Sequence, residues 1–373
     1  MSASEPRILF LHHTALIGGA ERHLLSVARH FRETSEVILF GDGPLRAVLE
    51  KAGVRVRVFQ SAWAAHGERR GAPSFSSRNI ADVLRLAWRI SRAASSADLL
   101  VANSPKALLA SSLARLVRQK PLLWMLHDLL NGKHFHPRGI RLLVRTANRS
   151  AARILADSQA DADAYISAGG RADLVRVIHC GVAPFPLIER KANDTFTLGV
   201  FGRITSWKGH DVVLRALAHV PEVNAIFVGA EEDAAYARSL RDLSIDLGLT
   251  SRVRFLGFRE DVAQLMQQVD CIVHASTEPE PFGLVIVEGM LAQMPVIATR
   301  AGGATEIIEE GESGLLVRPG DASEMAAAIK RILSAPEEAA RMAMKGYERA
   351  RAHFSEDRML REAEKHFHEI AHT

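Results

Sequence analysis

Residues 7–31 read RILFLHHTALIGGAERHLLSVARHF. The opening RILFLHH is short, apolar and followed by glycines, the mark of a buried strand. Beyond Gly18 and Gly19 the spacing changes: Leu24, Val27 and Ala28 fall on one face at helical intervals. Working outward, EVILF is a second strand, and VRVRVF, alternating with period two, a third. A helix over 77–94, a strand over 98–103, another helix, the strand PLLWMLHD, and strands near 152–157 and 175–180 complete this half. Strands that alternate with helices imply a parallel sheet covered on both faces.

After Gly181 the segment VAPFPLIERKAND, rich in proline and charge, reads as a linker. The alternation then restarts: TFTLGVFGRI, a helix at 209–219, NAIFVGA, a helix at 233–247, VRFLGF, a short helix, CIVHAS, a helix at 283–292, PVIAT and GLLV. The expected organisation is an α/β fold of two Rossmann-like, doubly wound domains, 1–185 and 186–352. A terminal helix, 353–373, crosses back to the first domain. No internal sequence repeat is evident. Such domains bind ligands beyond the carboxyl ends of their strands, so a cleft between the two is the expected site.

The 373 residues and 47% hydrophobic content suit two cores rather than one, and exclude disordered or fibrous classes. Cys180 and Cys271 share no metal-ligand spacing and read as reduced thiols of a cytoplasmic protein. No signal-peptide or membrane-spanning run is visible. The net charge of +4 hides an asymmetry: residues 1–190 carry +12 and the remainder −8. A basic half points to an anionic partner such as a lipid phosphate or an anionic bilayer. Nucleic acid is not expected, because no reading motif is present and aromatics are few.

The segment EPEPFGLVIVEGM, 278–290, carries the strongest chemical signal. Glu280 sits between Pro279 and Pro281, and Phe282, Gly283 and Leu284 open a helix whose second turn holds Glu288. A helix N-terminus offers unpaired N–H groups and a positive dipole end, which suits a diphosphate. The Glu288 carboxylate accepts two hydrogen bonds, as vicinal ribose hydroxyls require. Glu280 at the helix mouth would take sugar hydroxyls. In GRITSWKGH, Arg203 and Lys208 place two cations above the same sheet edge, a clamp for a leaving diphosphate. Gly18 and Gly19 form a second phosphate-friendly loop, but not the G-x-G-x-x-G of nicotinamide enzymes. Asp42 follows the second strand, where such enzymes carry their ribose-binding acid. His127 ends a buried strand facing the expected cleft, beside Asp128; His12 and His13 do the same less distinctly. Asn103, Ser104 and Lys106 are acceptor-side candidates. No D-x-D at a strand end and no His/Cys cluster marks a metal site. In PRGIRLLVRTANRSAAR, Arg138, Arg141, Arg145, Arg149 and Arg153 fall on one helical face, opposite Ile140, Leu143, Val144 and Ala147. The arginines meet either anionic lipid or water.

In order along the chain, GGAER, HD, GRITSWKG, FLGF, EPEPFGLVIVEGM and AGGATEIIEEGESGLLVRPGD resemble the family 4 retaining glycosyltransferases of GT-B fold. The resemblance covers nearly the whole chain. It implies sugar transfer from a nucleoside-diphosphate donor, such as a UDP- or GDP-sugar, to a glycolipid, polysaccharide or small-molecule acceptor. It assigns Arg203 and Lys208 to the diphosphate, and Glu280 to the donor sugar. It gives the N–H groups of Phe282, Gly283 and Leu284 to phosphate and sugar, and Glu288 to the ribose. Phe258 or Arg259 would border the base, Gly18 and Gly19 would meet the diphosphate or acceptor, and His127 would stand near the reacting carbon. Cys180 departs from the asparagine of many relatives. A retaining transfer needs a nucleophile or a front-face route, and the resemblance favours the front face, without metal. A nucleotide-sugar epimerase, an elongating synthase of glycogen-synthase type and a non-catalytic two-domain binding protein are the alternatives.

Overall fold

The computed structural model describes residues 5–65, 77–133, 135–189 and 195–372. Two compact units divide the chain: residues 1–181 with 356–373, and residues 182–355. The sequence-drawn linker therefore begins the second unit, and its residues 190–194 lie outside the described ones.

In the first unit the elements run β1 (Ile8–His12), α1 (Gly19–His30), β2 (Ser35–Leu39), α2 (Pro44–Lys51), β3 (Arg55–Val58), α3 (Ala62–Ala65), α4 (Ser77–Ala93), β4 (Leu99–Ala102), α5 (Pro105–Ala114), β5 (Leu122–Leu126), α6 (Pro137–Ser150), β6 (Arg153–Ala156), α7 (Gln159–Ser167) and β7 (Val175–Val177). Among the described residues they form one seven-stranded sheet of order β3-β2-β1-β4-β5-β6-β7, every pairing parallel. All five residues of β1 are buried because helices cover both faces. Successive side chains of a strand point to opposite faces. Leu9 and Leu11 accordingly enter the core beneath α4, α5 and α6, while Ile8 and Phe10 enter the one shared with α1 and α2.

The second unit runs β8 (Thr197–Phe201), α8 (His210–Leu217), β9 (Asn224–Val228), α9 (Ala234–Asp246), β10 (Val253–Gly257), α10 (Val262–Met266), β11 (Cys271–His274), α11 (Leu284–Leu291), β12 (Val296–Thr299), α12 (Ala304–Ile307), β13 (Leu315–Val317), α13 (Ala322–Ser334) and α14 (Pro336–His353). Its parallel sheet has the order β10-β9-β8-β11-β12-β13. In each sheet the winding reverses once, between β1 and β4 and between β8 and β11. The strand ends splay apart there and leave a crevice for a ligand.

The last helix, α15 (Glu356–Ala371), belongs to the first unit. Met359, Leu360, Ala363, Phe367 and Ile370 repeat at helical spacing and all enter the core that holds Ile8 and Phe10. Phe367 is fully buried, its ring 6.0 Å from that of Phe10 and 5.4 Å from that of Phe31. Ser26 and Arg29 of α1 bond the Glu356 carboxylate at the start of the helix.

Two local expectations change. Helix α6 exposes Arg138, Arg141, Arg145 and Arg149 and buries Leu143, Val144 and Ala147, but it ends at Ser150. Arg153 is not on that face: it lies in β6 and pairs with Glu369 of α15 at 2.7 Å. Helix α7, absent from the periodicity reading, has almost no one-sided apolar pattern. It is fixed instead by its cap, the Ser158 hydroxyl accepting from Asp161 N.

Truncating Phe367 to alanine leaves a cavity between α15, β1 and α1. Phe367→Ala is expected to cost about 3–5 kcal/mol in chemical denaturation of the full chain. A loss below about 1 kcal/mol would mean that α15 adds little to the first core.

Candidate functional site

The second unit builds its site where backbone segments approach more closely than a side chain permits. Gly209, with φ of +66°, caps α8, and a Cβ there would lie 2.0 Å from the Ala275 carbonyl. Thr277 N donates to Trp207 O at 2.8 Å across the same contact. On the other side Gly303 N donates to Glu280 O at 3.0 Å, and a Cβ on Gly302 would stand 2.1 Å from that oxygen. The loop from Ala275 to Phe282 is thus gripped from both sides. It delivers the chain into α11 through Gly283, whose φ of +120° favours glycine.

Glu280 is the focus of this loop. Its Oε1 accepts from Lys208 Nζ at 2.7 Å, from His274 Nε2 at 2.7 Å and from the Ser276 hydroxyl. The Glu280, Lys208 and His274 side chains are 12%, 14% and 5% exposed, so water screens these three groups only weakly. Burial alone would raise the Glu280 carboxyl, but the charges and hydrogen bonds of Lys208 and His274 hold it well below the usual carboxylate range. Burial, with Lys208 near, lowers His210 to about 4, so that ring is neutral at pH 7.

The remaining donor-side candidates lie on other elements of the second unit. Arg203 follows Gly202 at the end of β8 and pairs with Glu232 at 3.1 Å, both about half exposed. Such a pair is worth at most about 1 kcal/mol and yields readily to a more highly charged anion. Gly283 has no side chain to cap α11, so the helix mouth presents backbone. Leu284 and Glu288 are half-buried in its first and second turns. Phe282 differs from the expectation in that it precedes the helix: its ring is buried against Phe354 at 5.7 Å and anchors the loop. Phe258 follows β10 and is 70% exposed, a free aromatic face.

In the first unit a buried polar chain runs along the strand ends. Glu21 Oε1 bonds His12 Nε2 at 2.7 Å, and Asn103 Oδ1 lies 2.8 Å from His127 Nε2, whose Nδ1 is 2.8 Å from Asp157 Oδ2. Asn103 O and His12 Nδ1, 3.1 Å apart, join the two halves. Burial lowers a histidine's proton affinity, yet the Asp157 charge and hydrogen bond raise that of His127. Burial, with the charges of His12 and Lys106, drives His13 down to about 3.

Several of the assigned residues already have partners within the first unit. The Gly18–Gly19 loop is already occupied: Gly18 N donates to Glu21 Oε2 at 2.8 Å, a capping box that fills the helix mouth with the chain's own carboxylate. A Cβ on Gly18 would crowd that oxygen. Gly19 is the first residue of α1. Both ring nitrogens of His127 are engaged inside the protein, so it acts in this arrangement as a link, not as an open contact. The Asn103 amide is committed likewise, with Nδ2 donating to Ala20 O at 3.2 Å. Ser104 caps α5, Lys106 Nζ donates to Ala64 O, and Asp42 holds Gly43 N and Arg46. Three ligand-type side chains that sequence spacing does not pair also come close together. His23, His127 and Asp157 each place one ligand atom within 4.8 Å of the others, although α1, β5 and β6 scatter them through the sequence.

Sequence reasoning missed His274, Ser276, Glu21, His23 and Asp157. His274 and Asp157 end or follow buried strands, the rule that singled out His127. Glu21 stands three residues after Gly18, the spacing of a capping box. Those two signals were available; the convergence of His23 was not.

A family model described as "Glycosyl transferases group 1" matches residues 187–349, and "Glycosyltransferase Family 4" matches 17–184. The crystal structure of Anabaena HepE in complex with UDP and glucose superposes with a TM-score of 0.87 at 34% identity, covering 97% of this chain and 99% of that one. A glycosyltransferase from Rickettsia africae ESF-5 has a TM-score of 0.84 at 23% identity, covering 99% of each chain, and shares the fold. Among curated relatives, the lipopolysaccharide core biosynthesis glycosyltransferase LpsE of Rhizobium meliloti is 35% identical over 42% of this chain and 45% of its own length. The matched stretch spans less than half the length of these curated relatives, 29% to 46%.

Because the folded-state Glu280 carboxyl lies below its ordinary value of 4.5, its contribution is full above that pH and is lost as pH falls toward the folded value. Glu280→Gln strands the Lys208 charge and should cost about 3 kcal/mol at pH 7. In melting curves from pH 7 to pH 3, the gap between variant and wild type should narrow below about pH 4.5. A gap independent of pH would show that the pair is not coupled to stability.

Proposed function

Since this chain belongs to the family 4, group 1 glycosyltransferases of GT-B fold, we propose that it transfers a sugar from a nucleoside-diphosphate donor to an acceptor with retention of configuration. The observation that carries the reading is the buried Glu280 carboxylate at the mouth of α11, held by Lys208 and His274 at the reversal point of the second sheet. A carboxylate kept ionised there accepts hydrogen bonds from sugar hydroxyls. The N–H groups at the α11 mouth, Lys208 and Arg203 meet the diphosphate without a metal ion, and Glu288 takes the ribose. Phe258, exposed beside Gly257, offers the base a stacking face.

In the front-face route the bond between the anomeric carbon and the phosphate oxygen breaks. The acceptor oxygen bonds to the same face of that carbon and gives its proton to the departing phosphate. The cations stabilise the charge that develops on the diphosphate. HepE, solved with UDP and with UDP-glucose, favours a UDP-hexose donor. The relatives named for lipopolysaccharide core synthesis favour a glycolipid or polysaccharide acceptor.

The test is thermal shift against UDP, GDP, ADP, dTDP and NAD, for wild type and Glu288→Ala. At about 100 times its dissociation constant a ligand adds roughly 2.7 kcal/mol, several degrees for a chain of this size. UDP should stand out, and the variant should lose the shift. Anomeric proton couplings of the product read retention. If no nucleoside diphosphate shifts the wild type, or only NAD does, the proposal fails.

A lipid-linked acceptor calls for contact with an anionic bilayer, and two features support it. Arg138, Arg141, Arg145 and Arg149 form an exposed face on α6. Ile80, Leu84 and Trp88 of α4, all about half exposed, recur every fourth residue, with Arg92 over the Trp88 ring. No helix among the described residues is long and apolar enough to cross a membrane. The protein should float with vesicles containing anionic lipid and not with neutral ones, and Trp88→Ala with Arg145→Ala should weaken that association. Equal partition between the two vesicle types removes the membrane reading.

A further inference from the structure

Lys208 is held on three sides. Its Nζ lies 2.7 Å from Glu280 Oε1 and stands over the Trp207 ring, 4.5 Å from the ring centroid. Its stem runs past Gly202 at the end of β8, where an added Cβ would stand 4.0 Å from Lys208 Cε. The contacts come from the turn before α8, the loop that leads into α11 and the end of β8. A lysine stem has several rotatable bonds, and ordering it costs conformational entropy that these contacts must offset.

Trp207 is itself fixed. It is half-buried and lies in the middle of the short 3-10 turn Ser206–Lys208. Its carbonyl oxygen accepts from Thr277 N at 2.8 Å and from the Thr277 hydroxyl at 3.2 Å. Thr277 belongs to the loop that Gly209 and Gly302 grip, just ahead of Glu280. The indole and the carboxylate are therefore tied to the same piece of backbone, and both meet one ammonium.

The donor inventory of Lys208 gives this arrangement a use. An ammonium carries three N–H donors and no acceptor. Glu280 Oε1 takes one of them. The indole takes up a second side of the cation, because the negative face of its quadrupole attracts positive charge. Among the described residues no other group accepts from Lys208 Nζ, so donor capacity remains for an anion. A second carboxylate in the place of the indole would turn the local charge negative and repel a phosphate. The neutral ring steadies the ammonium without that cost. Arg203, 53% exposed and paired with Glu232, has no comparable support.

We propose that Trp207 is a positioning residue for donor binding. Its indole face fixes the Lys208 ammonium against Glu280 and leaves the remaining N–H to the diphosphate. The inference rests on the reading of the second unit as the nucleoside-diphosphate site. It goes beyond that reading by making an aromatic side chain a determinant of diphosphate affinity, acting through Lys208 rather than by contact with the donor.

The experiment is calorimetric titration of the full-length protein with UDP, with Trp207 alone replaced by its mono-, di-, tri- and tetrafluoro analogues. Fluorine nearly preserves the shape of the indole and withdraws electrons from its face, so these proteins should fold as wild type does. The Kd for UDP should rise stepwise with fluorine number, to roughly tenfold at the tetrafluoro ring, within the span of cation–π energies. Trp207→Phe keeps an aromatic face and should stay within about threefold of wild type, whereas Trp207→Leu should lose about tenfold. In a Lys208→Met background the fluorine series should be flat, because the cation is gone. A flat series in the protein that keeps Lys208 overturns the assignment and leaves the donor reading standing. A series equally steep in the Lys208→Met background overturns it too, since packing alone would then explain the effect. Wild type that binds no UDP removes the UDP donor itself, and the assignment falls with it.

Discussion

The grip on the Glu280 segment is the constraint from which the second unit's site follows. A loop that carries a buried carboxylate must have its backbone fixed, or the charge escapes to water. Here Gly209 and Gly302 let neighbouring backbone come within a distance that a Cβ forbids, one on each side of the loop. Lys208 sits beside Gly209, so the glycine that admits the loop also sets the lysine within 2.7 Å of the carboxylate. His274 ends the strand from which the loop departs. Positioning and charge compensation therefore come from the same few residues.

The first unit meets the same geometric opportunity differently. Its sheet also reverses, and a glycine again stands at the mouth of a helix. But Glu21 reaches back to Gly18 N, and its other oxygen bonds His12. Burial would raise the Glu21 carboxyl, and the His12 hydrogen bond keeps it lowered. An anion arriving at that helix would face a carboxylate already in place. A glycine-rich turn before a helix is thus a statement about backbone freedom, and whether it receives a ligand depends on the side chain three residues on.

The fold was readable because its signals are local. A run such as ILFLH can only be a strand covered on both faces, and the alternation of such runs with amphipathic helices dictates parallel sheets. Glu280, Lys208 and Arg203 were readable for a related reason: each lies within a few residues of a glycine or proline that marks a strand end or a helix start. The placement of Arg153 failed because spacing continued past the point where α6 stops, and nothing local to Ser150 announces the end. His23, Asp157 and Cys180 lie 23 to 157 residues from one another or from His127, on segments that only the sheet order brings together.

Charge shows most clearly how far bulk composition stands from local chemistry. The first half of the chain is strongly basic and the second acidic, which on composition alone assigns an anionic ligand to the first. At the strand ends the pattern reverses. The first unit buries Glu21 and Asp157 among histidines, whereas the second gathers Lys208 and His274 around the Glu280 carboxylate and pairs Arg203 with Glu232. Net charge is carried mostly by exposed side chains such as the arginines of α6, which water and salt screen within about 8–10 Å. A buried or half-buried cation beside a helix mouth acts at contact distance in a poorly screened setting, and a ligand there responds to it rather than to the distant sum. On the proposed reading the acidic unit is the one that meets the diphosphate, and the excess positive charge of the other is left to act on whatever meets its outer surface.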